Sequence, residues 1–252
     1  MKILLSNDDG FFAPGIQVMA QTLLQSDFCE ELVIIAPDRN RSAASNSLTL
    51  TEPLRMNRRK EYDFPVYAVN GTPTDCVHLG MNGGLPQSFD LVISGINAGA
   101  NMGDDVLYSG TVAAATEGRF LGKPSVAISL CGDQYFETAA AVFMQFMDQV
   151  YFKVKVPDNT IFNLNVPDCP LSAIQGLAVT RLGRRHASEP IVADRDPRGL
   201  PIFWVGPAGE AADAAEGTDF YAIEHNQASL TPLQIDLTHY DLLKVLREAV
   251  DE

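Results

Sequence analysis

Several segments of this chain are nearly unbroken runs of Val, Ile and Leu. The clearest are residues 32–36 (LVIIA), 90–94 (DLVIS) and 125–130 (SVAISL). A strand with one face in water alternates apolar and polar residues, whereas runs of this kind are typical of parallel strands buried on both faces. A sheet built from them needs helices on both sides, and this requirement constrains the fold more than any other feature of the sequence.

Segments with helical spacing separate these runs. They fall at residues 16–24, 75–81, 111–121, 135–150 and 241–250. Alternating strands and helices indicate an α/β protein with right-handed crossovers. We therefore predict a three-layer α/β/α fold with a Rossmann-like, mostly parallel sheet.

The chain has 252 residues and shows no convincing linker or internal repeat, so we predict one domain over residues 1–252. Its core is expected at about 1–180 and 215–252. The stretch 181–214 between them mixes Arg, Pro and Asp with the pair Phe203-Trp204 and has no helical period. We expect it to form an extended hairpin or arm that serves assembly, and the alternative is a surface loop.

The charge balance limits the partners of this protein. It carries 18 basic and 32 acidic side chains, a formal net charge of −14, which excludes a binder of duplex nucleic acid. No apolar run approaches the roughly 20 residues of a membrane helix, and the first apolar run is too short for a signal peptide. Its four cysteines show no CxxC spacing, so we expect reduced thiols and a cytoplasmic location.

Small phosphorylated ligands remain compatible with an acidic chain, provided that a metal ion or a helix N-terminus supplies a local counter-charge. In an open parallel sheet such ligands bind beyond the carboxyl ends of the strands. Three polar loops follow the predicted strands, and we expect them to meet at that edge.

The first loop contains Asn7, Asp8, Asp9 and Gly10. In a tight turn, for which Gly10 is suited, both carboxylates can face one ligand. Two like charges held this close repel each other unless a cation or a proton intervenes, and a hard divalent cation prefers such oxygen ligands. The alternative is a turn that caps a helix.

The second loop, residues 38–47, is dense in Ser and Asn. In the functional interpretation one Ser hydroxyl joins a metal shell and Asn46 contacts a phosphate oxygen. Arg39 and Arg41 are alternatives for the anion contact, although they equally suit pairing with acidic neighbours. The structural interpretation is helix capping and satisfaction of the backbone.

The third loop, residues 95–105, has glycines spaced by four, which matches neither the dinucleotide fingerprint nor a Walker A loop. It leads to Ser109, Gly110 and Thr111 at the start of an Ala-rich helix. Ser109 and Thr111 suit capping, and the free N–H groups there suit an anion; the two roles are compatible. None of the four histidines lies in these loops, so a metal-activated water is a simpler nucleophile than a Ser-His-Asp triad.

Nine motifs in this order resemble those of the SurE family of stationary-phase survival proteins. They are residues 3–10 (ILLSNDDG), 13–16 (APGI), 36–42 (APDRNRS), 71–76 (GTPTDC), 94–99 (SGINAG), 108–112 (YSGTV), 163–167 (NLNVP), 180–183 (TRLG) and 217–219 (GTD). The resemblance spans nearly the whole chain. No active-loop position departs from the family pattern, whereas residues 185–215 and the C-terminal tail are less diagnostic.

The resemblance implies a metal-dependent 5′-nucleotidase that hydrolyses nucleoside monophosphates, with 3′-nucleotides and short polyphosphate as further substrates. It implies one divalent ion per subunit, Mn²⁺ or Mg²⁺. The family's metal ligands correspond here to Asp8, Asp9, Ser42 and Asn97. Its phosphate-contacting positions correspond to Asn46, Asn101, Ser109, Gly110 and Thr111. It also implies a homodimer or homotetramer assembled through an extended C-terminal arm.

In the mechanism that we expect, phosphate lies between the metal and the start of the helix. Asp8 and Asp9 are the catalytic carboxylates, and either of them could accept the proton of the attacking water. Two alternatives remain at this point. One is a phosphotransferase with an aspartyl-phosphate intermediate, although such enzymes use DxD rather than adjacent carboxylates. The other is a non-catalytic nucleotide-binding stress protein, which leaves the combined metal and anion groups without a chemical role.

Overall fold

A computed structural model describes residues 1–186, 188, 190–206 and 208–251. Ala187, Glu189 and Pro207 of the predicted arm, and the terminal Glu252, lie outside the described residues. Within the described part, no helix has both the length and the apolar character needed to cross a bilayer. The four cysteines are free thiols.

Thirteen strands and six α-helices form the described chain. The strands are β1 (Lys2–Ser6), β2 (Glu31–Pro37), β3 (Met56–Arg58), β4 (Val66–Val69), β5 (Leu91–Ala98), β6 (Ser125–Leu130), β7 (Ile161–Val166), β8 (Leu177–Val179), β9 (Arg184–Arg185), β10 (Val192–Arg195), β11 (Pro201–Trp204), β12 (Ala211–Asp213) and β13 (Ala228–Leu233). The helices are α1 (Pro14–Leu24), α2 (Pro73–Met81), α3 (Gly110–Gly118), α4 (Phe136–Phe146), α5 (Asp219–Glu224) and α6 (Tyr240–Asp251).

Nine strands form the central sheet in the order β3-β4-β2-β1-β5-β6-β7-β13-β8. The pairs from β4 through β7 are parallel, and so is the pair of β13 with β8, whereas β3 and β13 run antiparallel to β4 and β7 respectively. The chain order reverses about β1, which has β2 on one side and β5 on the other. Ligands of open α/β sheets bind at this kind of reversal.

Helices cover both faces of the sheet. On one face α1 and α4 pack over Ile3 and Leu5, and on the other α2 and α3 pack over Leu4 and Val92. Successive strand residues point to opposite faces, so β1 contributes to both cores and every residue from Ile3 to Ser6 is buried. The predicted three-layer α/β/α fold is therefore confirmed.

Three element boundaries differ from the sequence-based expectations. Helix α2 begins before residue 75, because Thr72 accepts a hydrogen bond from the N–H of Asp75 while Asp75 accepts one from the N–H of Thr72, a capping box. The expected helix 135–150 is α4 followed by a π-helical turn over Met147–Tyr151. Strand β5 continues beyond Ser94, and its register against β6 shifts before Asn97 pairs with Ser129.

The stretch 181–214 is not uniformly irregular. Strands β10 and β11 form an antiparallel hairpin in which Val192 pairs with Trp204 and Ala193 with Phe203. Nearer to the core, β9 pairs with β12. The division into a core and an arm stays a prediction, but the hairpin supplies the extended segment that the division requires.

Candidate active site

The turn after β1 brings the two adjacent carboxylates to the sheet edge. The Asn7 side chain donates to the carbonyl oxygen of Gly10 at 2.9 Å and accepts from the Gly10 N–H at 3.2 Å. Gly10 itself has a φ of +103°, which favours glycine. This closed turn places Asp8 and Asp9 beyond the end of the strand, where neighbours are no longer forced to opposite faces.

Asp8 lies at the buried end of the site, with only 4% of its surface exposed. Its Oδ1 accepts a hydrogen bond of 2.5 Å from the Thr111 hydroxyl. Burial is the main cause that raises its pKa to about 6; the Thr111 hydrogen bond opposes the rise, and the Asp9 charge adds to it. A charged Asp8 is therefore costly here unless a cation is bound beside it.

Asp9 accepts two hydrogen bonds that fix its orientation. The Ala98 N–H donates to Oδ2 at 3.1 Å, and the Asn40 amide donates to Oδ1 at 3.2 Å. Burial raises the pKa of Asp9 above its ordinary value despite these two donors. Burial thus makes the charged form of both carboxylates less favourable than it is in water.

The second loop is attached to the first through the main chain. The Arg41 N–H donates to the carbonyl oxygen of Asp8 at 2.7 Å, and the next residue, Ser42, lines the same cavity as Asp8. The Ser42 hydroxyl donates to the Asn40 side chain at 2.6 Å. The Arg41 guanidinium is turned to the carbonyl oxygen of Asn70, at 2.7 Å, and does not line the cavity described next.

A cavity of about 320 Å³ opens at this edge, and we call it the strand-end cavity. Its walls are Asp8, Ser42, Ala43, Asn97, Ala98, Gly99, Ala100, Asn101, Asp105, Tyr108 and Ser109. Residues of all three polar loops therefore meet, as expected from the strand order. Within the described residues no group of three or more His, Cys, Asp or Glu side chains gathers at one point.

Two further predicted metal ligands, Asn97 and Asp9, line two adjacent cavities. Asn97, on the last part of β5, lines the strand-end cavity, and its Nδ2 donates to the Gly99 carbonyl oxygen at 2.8 Å, which leaves its amide oxygen as the group suited to a cation. Asp9 lies at the border: it lines a neighbouring cavity of about 300 Å³, and the two cavities share Ala98. Two carboxylates, an amide oxygen and a hydroxyl are hard oxygen donors, so this set fits Mn²⁺ or Mg²⁺.

The N-terminus of α3 lies next to Asp8 and contributes Ser109 to the wall of the strand-end cavity. Ser109 is its N-cap, because its hydroxyl accepts from the Val112 N–H at 3.0 Å. Gly110 approaches Asp8 so closely that a Cβ atom there would come within 2.9 Å of Oδ2. The first N–H groups of a helix lack intrahelical partners and carry partial positive charge, so they suit an anion.

Asn101 is held by a buried amide network that the sequence analysis missed. Its N–H donates to Asn165 Oδ1 at 2.8 Å, its Nδ2 donates to the Ser129 hydroxyl at 2.7 Å, and Asn163 and Asn165 both donate to its carbonyl oxygen. The two asparagines stand two apart on the fully buried strand β7 and therefore share a face. Two asparagines at alternate positions of an otherwise apolar strand are the sequence feature from which this network could have been predicted.

Gly110 and Thr111 lie behind Asp8 and do not line the strand-end cavity, and Asn46 lies farther away. The Asn46 side chain is exposed and accepts from the Thr74 hydroxyl at 3.4 Å, beside the start of α2. It does not line the strand-end cavity. Asp105 and Tyr108 line the cavity although neither was predicted as a site residue; Tyr108 is the first residue of the motif 108–112.

The fold and the site define an α/β protein with a buried carboxylate against a helix N-terminus, and a second carboxylate next to it, at the carboxyl edge of a parallel sheet. Residues 3–189 match the family described as "Survival protein SurE". This chain belongs to the SurE family. The predicted family membership is thus confirmed.

Named relatives are similar along their whole length. The "5'-nucleotidase SurE" of Hydrogenovibrio crunogenus is 62% identical over 98% of this chain and 97% of that protein. The protein of the same name from Legionella pneumophila strain Paris is 57% identical over 100% of this chain and 98% of that protein. The crystal structure of the SurE protein from Aquifex aeolicus has a TM-score of 0.83 and 42% identity, covering 99% of each chain.

Proposed function

We propose that this chain is a 5′-nucleotidase, which hydrolyses nucleoside 5′-monophosphates to nucleoside and phosphate with the help of one divalent ion. The observation that carries the proposal is that the buried Asp8 carboxylate lies against the start of α3, at a cavity that is lined by further oxygen donors. The names of relatives with 54–62% identity support the same activity.

Asp8, Asp9, Ser42 and Asn97 would hold Mn²⁺ or Mg²⁺. When bound, the cation would offset the paired carboxylates, polarise the phosphoryl group and lower the pKa of water. These side chains supply oxygen ligands only, which is the donor set that such ions prefer.

The chain's own groups account for phosphate binding. The start of α3, at Gly110 and Thr111, would supply backbone N–H donors for the phosphate, and Asn101, fixed by its amide network, would add a side-chain donor at the wall of the strand-end cavity. Asn46 remains a proposed phosphate contact only if its loop moves toward the cavity. Fixed donors of this kind stabilise charge on the transferred group without reorganisation.

In the reaction, water attacks phosphorus and the bond to the nucleoside oxygen breaks. A proton passes from the attacking water to the carboxylate pair, and the departing oxygen takes a proton from the protonated pair or from solvent water and leaves as the nucleoside hydroxyl. The choice of base between Asp8 and Asp9 stays open. Hydrolysis of 3′-nucleotides and short polyphosphate belongs to the same proposal, as does a cytoplasmic location.

We also propose that the arm mediates a homodimer or homotetramer. The support is the exposure of large apolar side chains on and beside the hairpin. They are Ile191, Val192, Leu200, Phe203, Trp204 and Val205. Monomeric proteins rarely expose a contiguous apolar surface of this kind.

The test is phosphate release from a panel of nucleoside 5′- and 3′-monophosphates by metal-stripped protein, then with Mn²⁺, Mg²⁺ or Zn²⁺ added. The proposal predicts turnover that is lost in EDTA and restored by metal. A phosphorylated Asp8 trapped during turnover would favour the phosphotransferase instead. Nucleotide binding by folded protein without turnover at any metal would contradict the hydrolase and favour a binding protein.

A further inference from the structure

A second cavity continues from the strand-end cavity toward the base of the arm, and we call it the arm-side cavity. It has a volume of about 660 Å³ and shares Ala43, Asp105 and Tyr108 with the strand-end cavity. Its far wall includes Arg185 and His186. Three shared wall residues make the two cavities one continuous depression that begins where phosphate is proposed to bind.

Tyr108 stands at the junction with its main chain fixed and its ring in water. Its N–H donates to the Asp105 carbonyl oxygen at 3.0 Å, and its own carbonyl oxygen accepts from the Ser45 N–H at 3.2 Å. The residue is nevertheless 67% exposed. An aromatic ring on a fixed main chain, directly before the α3 cap Ser109, is a prepared surface for a flat apolar group.

The arginine of the arm-side cavity is already paired. Arg185 contacts Asp105 through Nη2 at 2.7 Å and Nε at 2.8 Å, and its Nη1 donates to the Gly209 carbonyl oxygen at 2.9 Å. Its guanidinium also lies 4.9 Å from the centre of the Phe220 ring. Because this arginine is engaged on every side, the cavity suits an uncharged group rather than a second phosphate.

The other opening beside the site is less suitable. The cavity that borders Asp9 includes Phe12, which is 56% exposed, and Phe136, but it is about 300 Å³ in volume and shares only Ala98 with the strand-end cavity. It lies on the side of Asp9, away from the α3 N-terminus. A phosphate at that helix start therefore has Tyr108, not Phe12, as its aromatic neighbour along the chain.

We propose that the arm-side cavity binds the nucleoside part of the substrate, with the base stacked on the Tyr108 ring. This inference rests on the proposed nucleotidase function and names the site that recognises the leaving group. The imidazole of His186 and the carboxylate of Asp104 line the same cavity and suit hydrogen bonding to ribose hydroxyls or base edges. Stacking on one ring tolerates every base, so the proposal predicts weak discrimination among bases.

The kinetic test compares AMP with ribose 5-phosphate, which lacks the base, in wild type, Tyr108→Ala, Tyr108→Phe and Phe12→Ala. Loss of base stacking should lower the ratio of kcat/KM for AMP to that for ribose 5-phosphate by about tenfold in Tyr108→Ala. Tyr108→Phe should restore the ratio, and the matched control Phe12→Ala should leave it unchanged. An unchanged ratio in Tyr108→Ala, or a fall in Phe12→Ala instead, would overturn the proposal.

Equilibrium dialysis of adenosine against the full-length, metal-free chain separates this inference from the nucleotidase proposal. Adenosine should bind to wild type and Tyr108→Phe and about tenfold more weakly to Tyr108→Ala. If no phosphate ester is hydrolysed but this pattern holds, the nucleotidase proposal fails and the base site stands. If wild type hydrolyses AMP yet adenosine binds equally to all three proteins, or to none, the base site is wrong.

Discussion

At the strand-end site charged and polar side chains are buried, whereas in the arm large apolar side chains lie in water. Asp8 is 4% exposed and bonded to Thr111, while Phe203 and Trp204 are each 62% exposed on a two-stranded hairpin. Each arrangement is unfavourable unless something outside the chain compensates for it: a cation at the buried carboxylates, another apolar surface at the hairpin. The two regions therefore differ in the chemistry of the partner that they require.

The largest effect that separates the two regions is expected for Asp8→Asn. The substitution removes a proposed ligand and its charge, so kcat should fall by about two to three orders of magnitude. Since burial raises the pKa of Asp8 to about 6, its charged form destabilises the metal-free fold at neutral pH, and the Tm of the metal-free variant should equal or exceed that of wild type. Steady-state kinetics and calorimetry measure both.

Asp38→Asn is the matched control, because Asp38 is exposed at the end of β2 but does not line the strand-end cavity. It should retain wild-type turnover. Near-normal activity of Asp8→Asn in saturating Mn²⁺ would remove Asp8 from the metal site.

Thr111→Val should have the next largest effect. Its hydroxyl donates to Asp8 Oδ1 at 2.5 Å, and the valine side chain keeps the shape while removing that donor. We expect kcat/KM to fall by about tenfold and a loss of about 1 kcal/mol of stability. A lower Tm with unchanged kinetics would leave the hydroxyl a purely structural role.

Substitutions in the arm should have the opposite pattern of effects: a large change in the mass of the assembly and a small change in kcat. In the double substitution Phe203→Ser with Trp204→Ser, light scattering should report a smaller assembly than wild type, while kcat for AMP stays within about twofold. An unchanged mass would show that the exposed aromatic pair does not mediate association. A loss of turnover comparable to that of Asp8→Asn would show that the two regions are not separable.

The smallest effect is expected for Ser109→Ala, which distinguishes a role of Ser109 in helix capping from a role in phosphate binding. Ser109→Ala should cost about 1 kcal/mol, because the Val112 N–H loses its acceptor. Thr72→Ala, which removes the cap of α2 away from the strand-end cavity, should cost a similar amount. Thermal unfolding measures both, and only Ser109→Ala should also raise the KM for AMP. Equal kinetics in the two variants would leave Ser109 a helix cap alone.

The runs of Val, Ile and Leu predicted the three layers and the sheet edge at which the loops meet, because a strand that is buried on both faces is apolar at nearly every position. The positions of the apolar runs also predicted that the three polar loops would meet, whereas the family resemblance implied that Asp8, Ser42 and Asn97 would lie together there. Neither predicted the neighbours of Asn101, because Asn163 and Asn165 lie on β7 and Ser129 lies on β6, and the two strands come next to Asn101 only through the sheet order. Asn46 shows the opposite limit: the family resemblance implied a phosphate contact for it, but the path of its loop places its side chain beside Thr74.

The central claim is that Asp8 and Asp9 bind one divalent cation, and calorimetric titration of metal-stripped protein with Mn²⁺ tests it without relying on turnover. Wild type and Asp38→Asn should each bind one ion per chain. Asp8→Asn and Asp9→Asn should bind it at least about tenfold more weakly. Equal affinity in all four proteins, or no binding to folded wild type, would contradict the metal site at the end of β1.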